Sequence, residues 1–306
     1  MDMLGQDWPV STSTDSSETN QTLANTDAES QLTAFKATTA LAPLPGGASR
    51  RNFPWWARLI SPILLVALWQ ILSSYKVIPA TKLDSPASIA HEAYILITTN
   101  SPAYGTLQGS LLVSFLRWIV GCAIGVVLGI AFGLVSGLSR VGEAALDPIL
   151  QALRAIPFLG LIPLFIIWFG IGELPKVLLV MLASFFLMYV NTFAGIRGVD
   201  PKLGELGHVL GLNRRELIRH IVLPGALPQM LTGLRLSVVA SLLALVVGEQ
   251  INANEGLGFL ITQAQQFSDT DVIMVALIVY AILGILADWG VRVLERRALA
   301  WRKEFS

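Results

Sequence analysis

Six long apolar stretches constrain this chain more than any other feature of its sequence. A helix needs about 20 largely apolar residues to cross the hydrocarbon core of a bilayer. Stretches of about this length run over residues 59–75, 112–135, 149–171, 177–196, 231–247 and 272–294. Only 14% of the 306 residues are charged, whereas a soluble domain has about 25%. The sequence therefore predicts an all-α, polytopic membrane protein with about six transmembrane helices.

The first 52 residues have a different composition. They are rich in Ser, Thr, Asn and acidic residues and poor in aliphatic residues, which favours disorder. Acidic residues precede the first apolar run, and this order is unlike that of a secretory signal peptide. We therefore expect a retained, disordered cytoplasmic tail over 1–52, followed by a transmembrane domain over 53–306.

Basic residues are distributed unevenly between alternate connections. With the N-terminus inside, the inner segments contain most of the Lys and Arg residues, whereas the outer ones contain Lys76, Lys82, Lys176 and, at a span end, Arg117. Positive charge near span ends favours the cytoplasmic side. Both termini and the polar segment 197–230 are therefore predicted to be cytoplasmic.

The second and third spans contain residues that affect helix packing. In the second span, glycine recurs every fourth residue, at Gly121, Gly125, Gly129, Gly133 and Gly137. Such a row lets another helix approach closely in lipid, so we predict a packing face. Pro157 and Pro163 predict a kink in the third span. That kink could line a pathway or could be purely architectural.

The sequence lacks the motifs of several enzyme classes. It contains no G-x-x-x-x-G-K-[ST] phosphate loop, its three histidines have no metal-binding spacing, and Cys122 is the single cysteine. We therefore expect no enzyme activity and no metal or cofactor bound by this chain.

Few ionisable residues lie within the apolar stretches, and they lie near span ends. They are Arg117, Arg154, Arg235, Glu249 and Asp288, and Asp288 is spaced to pair with Arg292. An ion-driven carrier would more commonly have acidic residues at mid-depth. An ion-driven secondary carrier is therefore disfavoured, although it stays an alternative.

The segment 197–230 is predicted to form two short helices. Pro201 favours a helix start, and Gly211 provides a left-handed residue that ends the first helix. Asn213 and Glu216 have the spacing of a capping box that opens the second helix, which Leu223 and Pro224 are expected to close. The chain returns to lipid at both ends, so a DNA-reading helix-turn-helix is disfavoured. A cytosolic protein partner, and no nucleic acid, is the better interpretation.

This segment resembles the signature loop of binding-protein-dependent ABC importer permeases, in which E-A-A is followed by three residues, G, nine residues and I-x-L-P. The matching positions are Glu205, Gly211, Ile221, Leu223 and Pro224. Leu206 and Gly207 replace the two alanines. The resemblance implies a type I ABC importer permease fold in which the loop docks on a separate ATPase subunit, which uses the ATP. The implied docking residues are Glu205, Gly211, Arg214, Arg215, Ile221, Leu223 and Pro224.

Longer stretches narrow the resemblance to one branch of this family. Residues 137–179 resemble permeases for aliphatic sulfonates, taurine, nitrate and bicarbonate, and VNTFAGIRGVD (190–200) and GEQINANEGLGFLITQAQQFSDTDV (248–272) resemble alkanesulfonate permeases. The resemblance implies import of a small organic anion across the bacterial inner membrane, with sulfonates favoured over taurine, nitrate or bicarbonate. It also implies three kinds of protein partner: the ATPase, a periplasmic or lipid-anchored solute-binding protein, and a second copy of this chain in the lipid bilayer.

Polar residues near the outer mouth are candidates for the substrate path. They are Arg117, Glu249, Asn252 and Gln263, together with Asn254 and Gln266. Amide donors suit an anionic head group, and Arg117 is placed to attract a sulfonate. Snorkelling of a long cation to the membrane interface explains Arg117 equally well.

Overall fold

The computed structural model describes residues 57–75, 83–101 and 103–300, apart from the side chains of 57–59 and Asn252. The predicted tail over 1–52, Lys76 and Lys82 lie outside the described residues. Contacts divide the chain into Met1–Pro62 and Ile63–Ser306, and the packing reported below belongs to the second unit.

Helices and short helical turns make up the described chain. In order they are α1 Ala57–Ser74, α2 Pro86–Thr98, α3 Leu107–Leu138, α4 Arg140–Ala155, a 3-10 turn Phe158–Leu161, α5 Ile162–Phe169, α6 Glu173–Arg197, α7 Pro201–Val209, α8 Arg214–Leu217, a π-turn Ile218–Val222, α9 Leu223–Asn252, α10 Leu257–Phe267 and α11 Thr270–Ala298. The all-α, polytopic prediction is confirmed.

Four helical segments are long and apolar enough to cross a membrane: α3, α6, α11 and the continuous stretch Arg214–Ile251, which contains all of α9 except its last residue. The pair α4 and α5 passes the same test only as one broken span. The first predicted span is a helix, but its apolar part, Ile60–Ser74, is shorter than these. By length and composition the described residues thus contain four or five spans where the sequence predicted about six.

The glycine row of α3 packs against α6. A Cβ added at Gly125 would lie 2.1 Å from Ser184 Oγ, and one added at Gly133 would lie 2.6 Å from Thr192 Cβ. Only a bare backbone permits this approach, so the predicted packing face is confirmed. Residue numbers rise together along the contact, which means that α3 and α6 run parallel.

Because α3 and α6 are parallel, the chain between them must cross the whole bundle to return to its starting end. α4 and α5 make this crossing, with an 82° bend between them. Pro157 restricts Ile156 to an extended conformation (φ −76°, ψ 125°), and this ends α4. The predicted kink is therefore confirmed at Pro157. Pro163 lies in the first turn of α5, where proline is tolerated, and causes no kink.

The remaining long helices complete the bundle around α6. α9 runs antiparallel to α6, since a Cβ at Gly233 would lie 2.4 Å from Asn191 Cβ and one at Gly248 would lie 3.2 Å from Leu179 Cδ2. Trp118 on α3 donates to Ser241 Oγ on α9 at 2.8 Å. Residues 198–222 lie at one end of the bundle, which we call the loop end.

Candidate functional site

The first loop helix forms as the sequence predicts. Asp200 caps α7 by accepting a hydrogen bond from the Lys202 amide at 2.9 Å, and Pro201 opens the helix. Gly211 has a φ of 74°, the left-handed conformation that glycine adopts without strain. Its amide donates to His208 O at 3.0 Å, which closes the helix end.

The second loop helix begins as predicted but does not end as predicted. Asn213 Oδ1 accepts from the Glu216 amide at 3.0 Å, and Glu216 Oε2 accepts from the Asn213 amide at 2.9 Å, so the capping box is present. The prediction that Leu223 and Pro224 close this helix is wrong. The π-turn lets the Leu223 amide donate to Ile218 O, five residues back, and Pro224 lies in the first turn of α9.

Gly207 brings the two loop helices together. It is the one buried residue of α7, and a Cβ added there would lie 2.5 Å from Leu217 Cδ1 and 3.0 Å from Ile221 Cδ1. These atoms are the flexible ends of side chains, so a single methyl group could be accommodated by small rotations. This contact explains why a small residue occupies the second alanine position of the family pattern.

The outer surface of α7 is apolar and exposed. Leu203, Leu206, Val209 and Leu210 are between 45% and 84% exposed. Of the predicted docking residues, four are exposed and three are half-buried. The exposed ones are Glu205, Gly211, Arg214 and Arg215, and the half-buried ones are Ile221, Leu223 and Pro224. The loop end thus presents leucines beside arginines, a combination that suits a protein partner.

A buried polar network lies at the end of the bundle opposite the loop end. Glu249 on α9 is 1% exposed and Arg117 on α3 is 6% exposed, and Arg117 Nη1 lies 2.7 Å from Glu249 Oε1. Arg117 also pairs with Glu173, the first residue of α6. We call this group, with Ser114 and Tyr280, the Arg117–Glu249 network.

Glu249 is fully supplied with hydrogen-bond donors. Ser114 Oγ lies 2.8 and 2.7 Å from its two oxygens, the Tyr280 hydroxyl donates at 2.9 Å, and the Gly258 amide donates at 3.0 Å. The turn at Gly256 (φ 114°) passes so close that a Cβ there would lie 2.7 Å from Arg117 Nη1. The network therefore joins α3, α6, α9, α10 and α11 at one point.

The charges of this network balance. Arg117 and Lys176 face Glu173 and Glu249, with Lys176 Nζ 3.0 Å from Glu173 Oε1.

Arg117 and Glu249 were singled out from the sequence as separate path residues, and the structure brings them together. Gln263 is half-buried on α10, Asn254 and Gln266 are exposed, and the Asn252 side chain is outside the described residues. Their role in a substrate path stays a prediction.

Glu173, Ser114 and Tyr280 were missed by sequence reasoning. Glu173 lies 56 residues along the chain from Arg117. Ser114 and Tyr280 lie 135 and 31 residues from Glu249. No local spacing signals such contacts.

The predicted ion pair on α11 is confirmed, because Arg292 Nε lies 2.7 Å from Asp288 Oδ2. Arg235 on α9 also pairs with Asp288, with Nε 2.7 Å from Oδ1.

An acidic cavity of 330 Å³ also lies at the end opposite the loop end. It is lined by Asp84, Glu92, Ser268, Asp269, Thr270, Asp271 and Val272. The pKa of Asp84 is raised to about 6, mainly by a hydrogen bond with the Asp271 carboxyl and to a smaller extent by partial burial. Burial, with the nearby charge of Asp271, raises the pKa of Glu92. Carboxylates so close together repel anions, so this cavity is a poor site for an anionic solute.

Comparison with known proteins identifies the family of this chain. Residues 125–299 match the family described as binding-protein-dependent transport system inner membrane component. The chain belongs to this family. It is therefore a permease subunit of an ABC importer, and the family works with a separate ATPase subunit and a solute-binding protein.

Individual relatives agree with this membership. A Bacillus subtilis protein named for aliphatic sulfonates transport is 41% identical over 84% of this chain and 91% of its own length. An Escherichia coli protein of the same name is 43% identical over 83% and 94%. The Escherichia coli taurine transport system permease is 34% identical over 79% and 88%.

Solved structures share the fold. A chain of the MetNI methionine ABC transporter in an inward-facing conformation matches with a TM-score of 0.54 and 19% identity, covering 63% of this chain and 95% of that one. A chain of an amino acid ABC transporter crystallised with histidines matches with a TM-score of 0.54 and 18% identity, covering 69% and 97%. The fold is that of a type I ABC importer permease.

Proposed function

We propose that this permease moves aliphatic sulfonates into the cytoplasm by alternating access driven by a separate ATPase. The observation that carries the proposal is the similarity to two relatives named for aliphatic sulfonates transport, at 41% and 43% identity over more than nine-tenths of their lengths. Taurine is the second candidate, because the taurine permease is 34% identical.

The proposal places the protein in the bacterial inner membrane with both termini in the cytoplasm. The excess of basic residues at the loop end supports this orientation. Two copies pair in the bilayer around a central path, a periplasmic or lipid-anchored solute-binding protein delivers the solute, and the ATPase binds the loop end. In this arrangement Arg117, Glu249, Asn252 and Gln263 lie at the outer mouth. The chain itself carries no catalytic or cofactor-binding role and binds no nucleic acid.

Docking on the ATPase is assigned to the loop residues Glu205, Gly211, Arg214 and Arg215, supported from beneath by Ile221, Leu223 and Pro224. The exposed leucines of α7 provide apolar contact area, and the arginines provide charge. A few residues near the centre of such an interface typically account for most of its binding energy, and arginine is common among them. The loop then transmits closure of the ATPase to α6 and α9, the two long helices that it connects.

Reconstitution in lipid vesicles tests the proposed activity. The permease, its ATPase and the solute-binding protein encoded with it should accumulate radiolabelled ethanesulfonate when ATP is supplied on the ATPase side. A thermal-shift screen of the binding protein against alkanesulfonates, taurine, nitrate and bicarbonate identifies the preferred anion. Stabilisation by nitrate or bicarbonate alone would overturn the sulfonate assignment. Uptake that persists without the ATPase would instead favour an ion-driven secondary carrier.

Replacing Gly207 with leucine should separate the loop helices and uncouple the transporter. A leucine side chain cannot fit beside Leu217 and Ile221, so α7 should shift and lose its docking geometry. We expect ATPase co-purification and uptake to fall by at least about tenfold, which corresponds to about 1.4 kcal/mol of binding. Insertion into the membrane should be unchanged.

The matched control for this variant is Gly204→Leu. Gly204 lies on the same helix, but nothing lies within 4 Å of a Cβ added there. Gly207→Ala provides a second comparison and should retain most of the coupling. If Gly207→Leu co-purified with the ATPase as well as Gly204→Leu does, the packing of α7 on α8 would not matter for docking.

A further inference from the structure

The break between α4 and α5 lies near the middle of the bundle. Phe185 is the central residue of α6, and Leu150 on α4 is buried in one cluster with Phe185 and Tyr189. On the far side of the break, Ile162 is buried with Leu179 and Ala183. The bend thus lies opposite the middle of α6, far from both ends of that helix.

Arg154 is consequently at mid-depth. From hydropathy alone, Arg154 is predicted to lie near a span end, because the third apolar stretch begins at residue 149. The structure shows that α4 begins at Arg140 and rises along α6, with Glu143 paired to Arg197 and Asp147 accepting from the Tyr189 hydroxyl at 2.9 Å. Arg154 lies one turn beyond Leu150, so the earlier placement is wrong.

Polar residues form a stripe along α4 that leads to Arg154. Glu143, Asp147, Gln151 and Arg154 follow one another at intervals of four, four and three residues, which keeps them on one face of the helix. Glu143 and Asp147 are held by α6, and Gln151 donates to Asp147 Oδ2 at 2.6 Å. Arg154 is exposed, and among the described residues it has no hydrogen bond or ion pair.

The backbone around the break is also uncovered. Every residue from 151 to 157 is exposed, as are 159 and 160. The end of a helix leaves carbonyl groups without helical partners, and here the next helix turns away by 82°. Irregular backbone at membrane depth occurs only where protein covers it or where it lines a water-filled cavity. A charged side chain at this depth is subject to the same restriction.

We propose that Gln151, Arg154 and the broken backbone 155–160 line the substrate path at mid-depth, and that Arg154 is the cation that binds the anionic group of the solute. The proposal rests on the proposed function, since it places a second copy of this chain across the path. A guanidinium group donates two parallel hydrogen bonds to the oxygens of a sulfonate as it does to a carboxylate or phosphate. Arg117 cannot replace it, because Glu173 and Glu249 already neutralise that residue.

Labelling of introduced cysteines tests whether this face is in contact with water. Charged methanethiosulfonates react with a thiolate, which forms in water and not in lipid. In the assembled complex with Cys122→Ala, Gln151→Cys should react at least about tenfold faster than Ile149→Cys, because only position 151 faces water. Ile149 is 58% exposed but lies on the apolar face of the same helix. Equal rates at the two positions would overturn the proposed path.

The charge of the reagent then tests Arg154 itself. The measured quantity is the labelling rate of Gln151→Cys with a sulfonate-bearing reagent divided by its rate with a quaternary ammonium reagent. Adding Arg154→Gln to this chain should lower that ratio by about tenfold. Arg140→Gln is the matched control, since Arg140 is an exposed arginine at the opposite end of α4. An unchanged ratio in Arg154→Gln, or the same fall in both variants, would overturn the role of Arg154.

Uptake measurements complete the test. With ATPase co-purification unchanged, ethanesulfonate uptake by Arg154→Gln should fall at least about tenfold, and Arg154→Lys should retain part of it because it keeps the charge and loses only the paired geometry. Full uptake by Arg154→Gln would contradict the proposal. If the parent protein itself did not transport sulfonates, the proposed function would fail, while the labelling ratios would still decide whether Arg154 faces the path.

Discussion

Replacing Glu249 with alanine should lower the free energy of unfolding by about 3–5 kcal/mol, because the substitution leaves the buried guanidinium of Arg117 without its buried carboxylate partner. The loss includes the hydrogen bonds from Ser114, Tyr280 and the Gly258 amide, whose donors would also be left without an acceptor. A buried donor without an acceptor costs about 1–3 kcal/mol. Glu173 would still pair with Arg117, so the loss should stay within this range.

Thermal unfolding of the purified protein in detergent, followed by tryptophan fluorescence, measures this effect. Glu255→Ala is the control, because the Glu255 side chain is exposed and Arg117 binds only its backbone carbonyl, at 2.6 Å. That carbonyl remains after the substitution, so the midpoint should not change. Glu249→Gln should lie between the two, since an amide oxygen still accepts hydrogen bonds but carries no charge. Equal midpoints for Glu249→Ala and Glu255→Ala would contradict the assigned role of the network.

Removal of Glu249 should also lower uptake. The Arg117–Glu249 network ties the short helix α10 to α3 and α9 at the end opposite the loop end, through the Leu257 amide that donates to Ser114 Oγ at 2.8 Å and the Gly258 amide that donates to Glu249. When Glu249 is removed, α10 keeps its apolar packing through Leu257, Leu260 and Ile261 but loses the hydrogen bond from the Gly258 amide. A lower midpoint should therefore accompany a loss of uptake.

Local features of the loop could be predicted from the sequence because their causes are local. Gly211 adopts the left-handed conformation that its position suggested, and Asn213 and Glu216 form the expected capping box. The end of the second helix was mispredicted because the π-turn that accommodates Pro224 depends on the continuation into α9. A proline preceded by a regular helix and a proline preceded by a π-turn look the same in sequence.

The depth of Arg154 could not be predicted from hydropathy. Hydropathy placed the third span at 149–171, which made Arg154 a terminal residue. The helix that contains it is amphipathic and begins at Arg140, and its depth is set by the contacts of Leu150 and Asp147 with α6. Those contacts exist because α3 and α6 are parallel, a relation that no single stretch of sequence reveals.

The Arg117–Glu249 network shows a second limit. Both residues were selected as polar groups near a span end, which is correct as a position. Their burial and pairing arise from the meeting of four long helices, and the glycines at 256 and 258 allow the backbone to approach the pair. The residue types predicted polar groups at this end of the bundle, but the burial and pairing of Arg117 and Glu249 could be seen only in the packed structure.

Replacing Gly125 with leucine should prevent α3 from packing on α6. A Cβ at this position would lie 2.1 Å from Ser184 Oγ and 2.3 Å from the Met181 carbonyl oxygen, and a carbonyl oxygen of a buried helix cannot rotate away. Overpacking in a well-packed core costs about 1–3 kcal/mol when side chains can adjust. We expect a larger loss here, because the two backbones themselves must separate, and the other four glycine contacts separate with them.

Gly290→Ala is the control for this substitution. Gly290 also lies within a spanning helix, α11, but nothing lies within 4 Å of a Cβ added there, so alanine should be neutral or stabilise the helix by about 0.5–1 kcal/mol. Gel filtration of a fluorescent fusion measures the folded fraction in membranes extracted with mild detergent. We expect a monodisperse peak for Gly290→Ala and aggregated protein for Gly125→Leu, with Gly125→Ala intermediate. A monodisperse Gly125→Leu protein with the parent's melting temperature would mean that α3 and α6 do not depend on the glycine row for their contact.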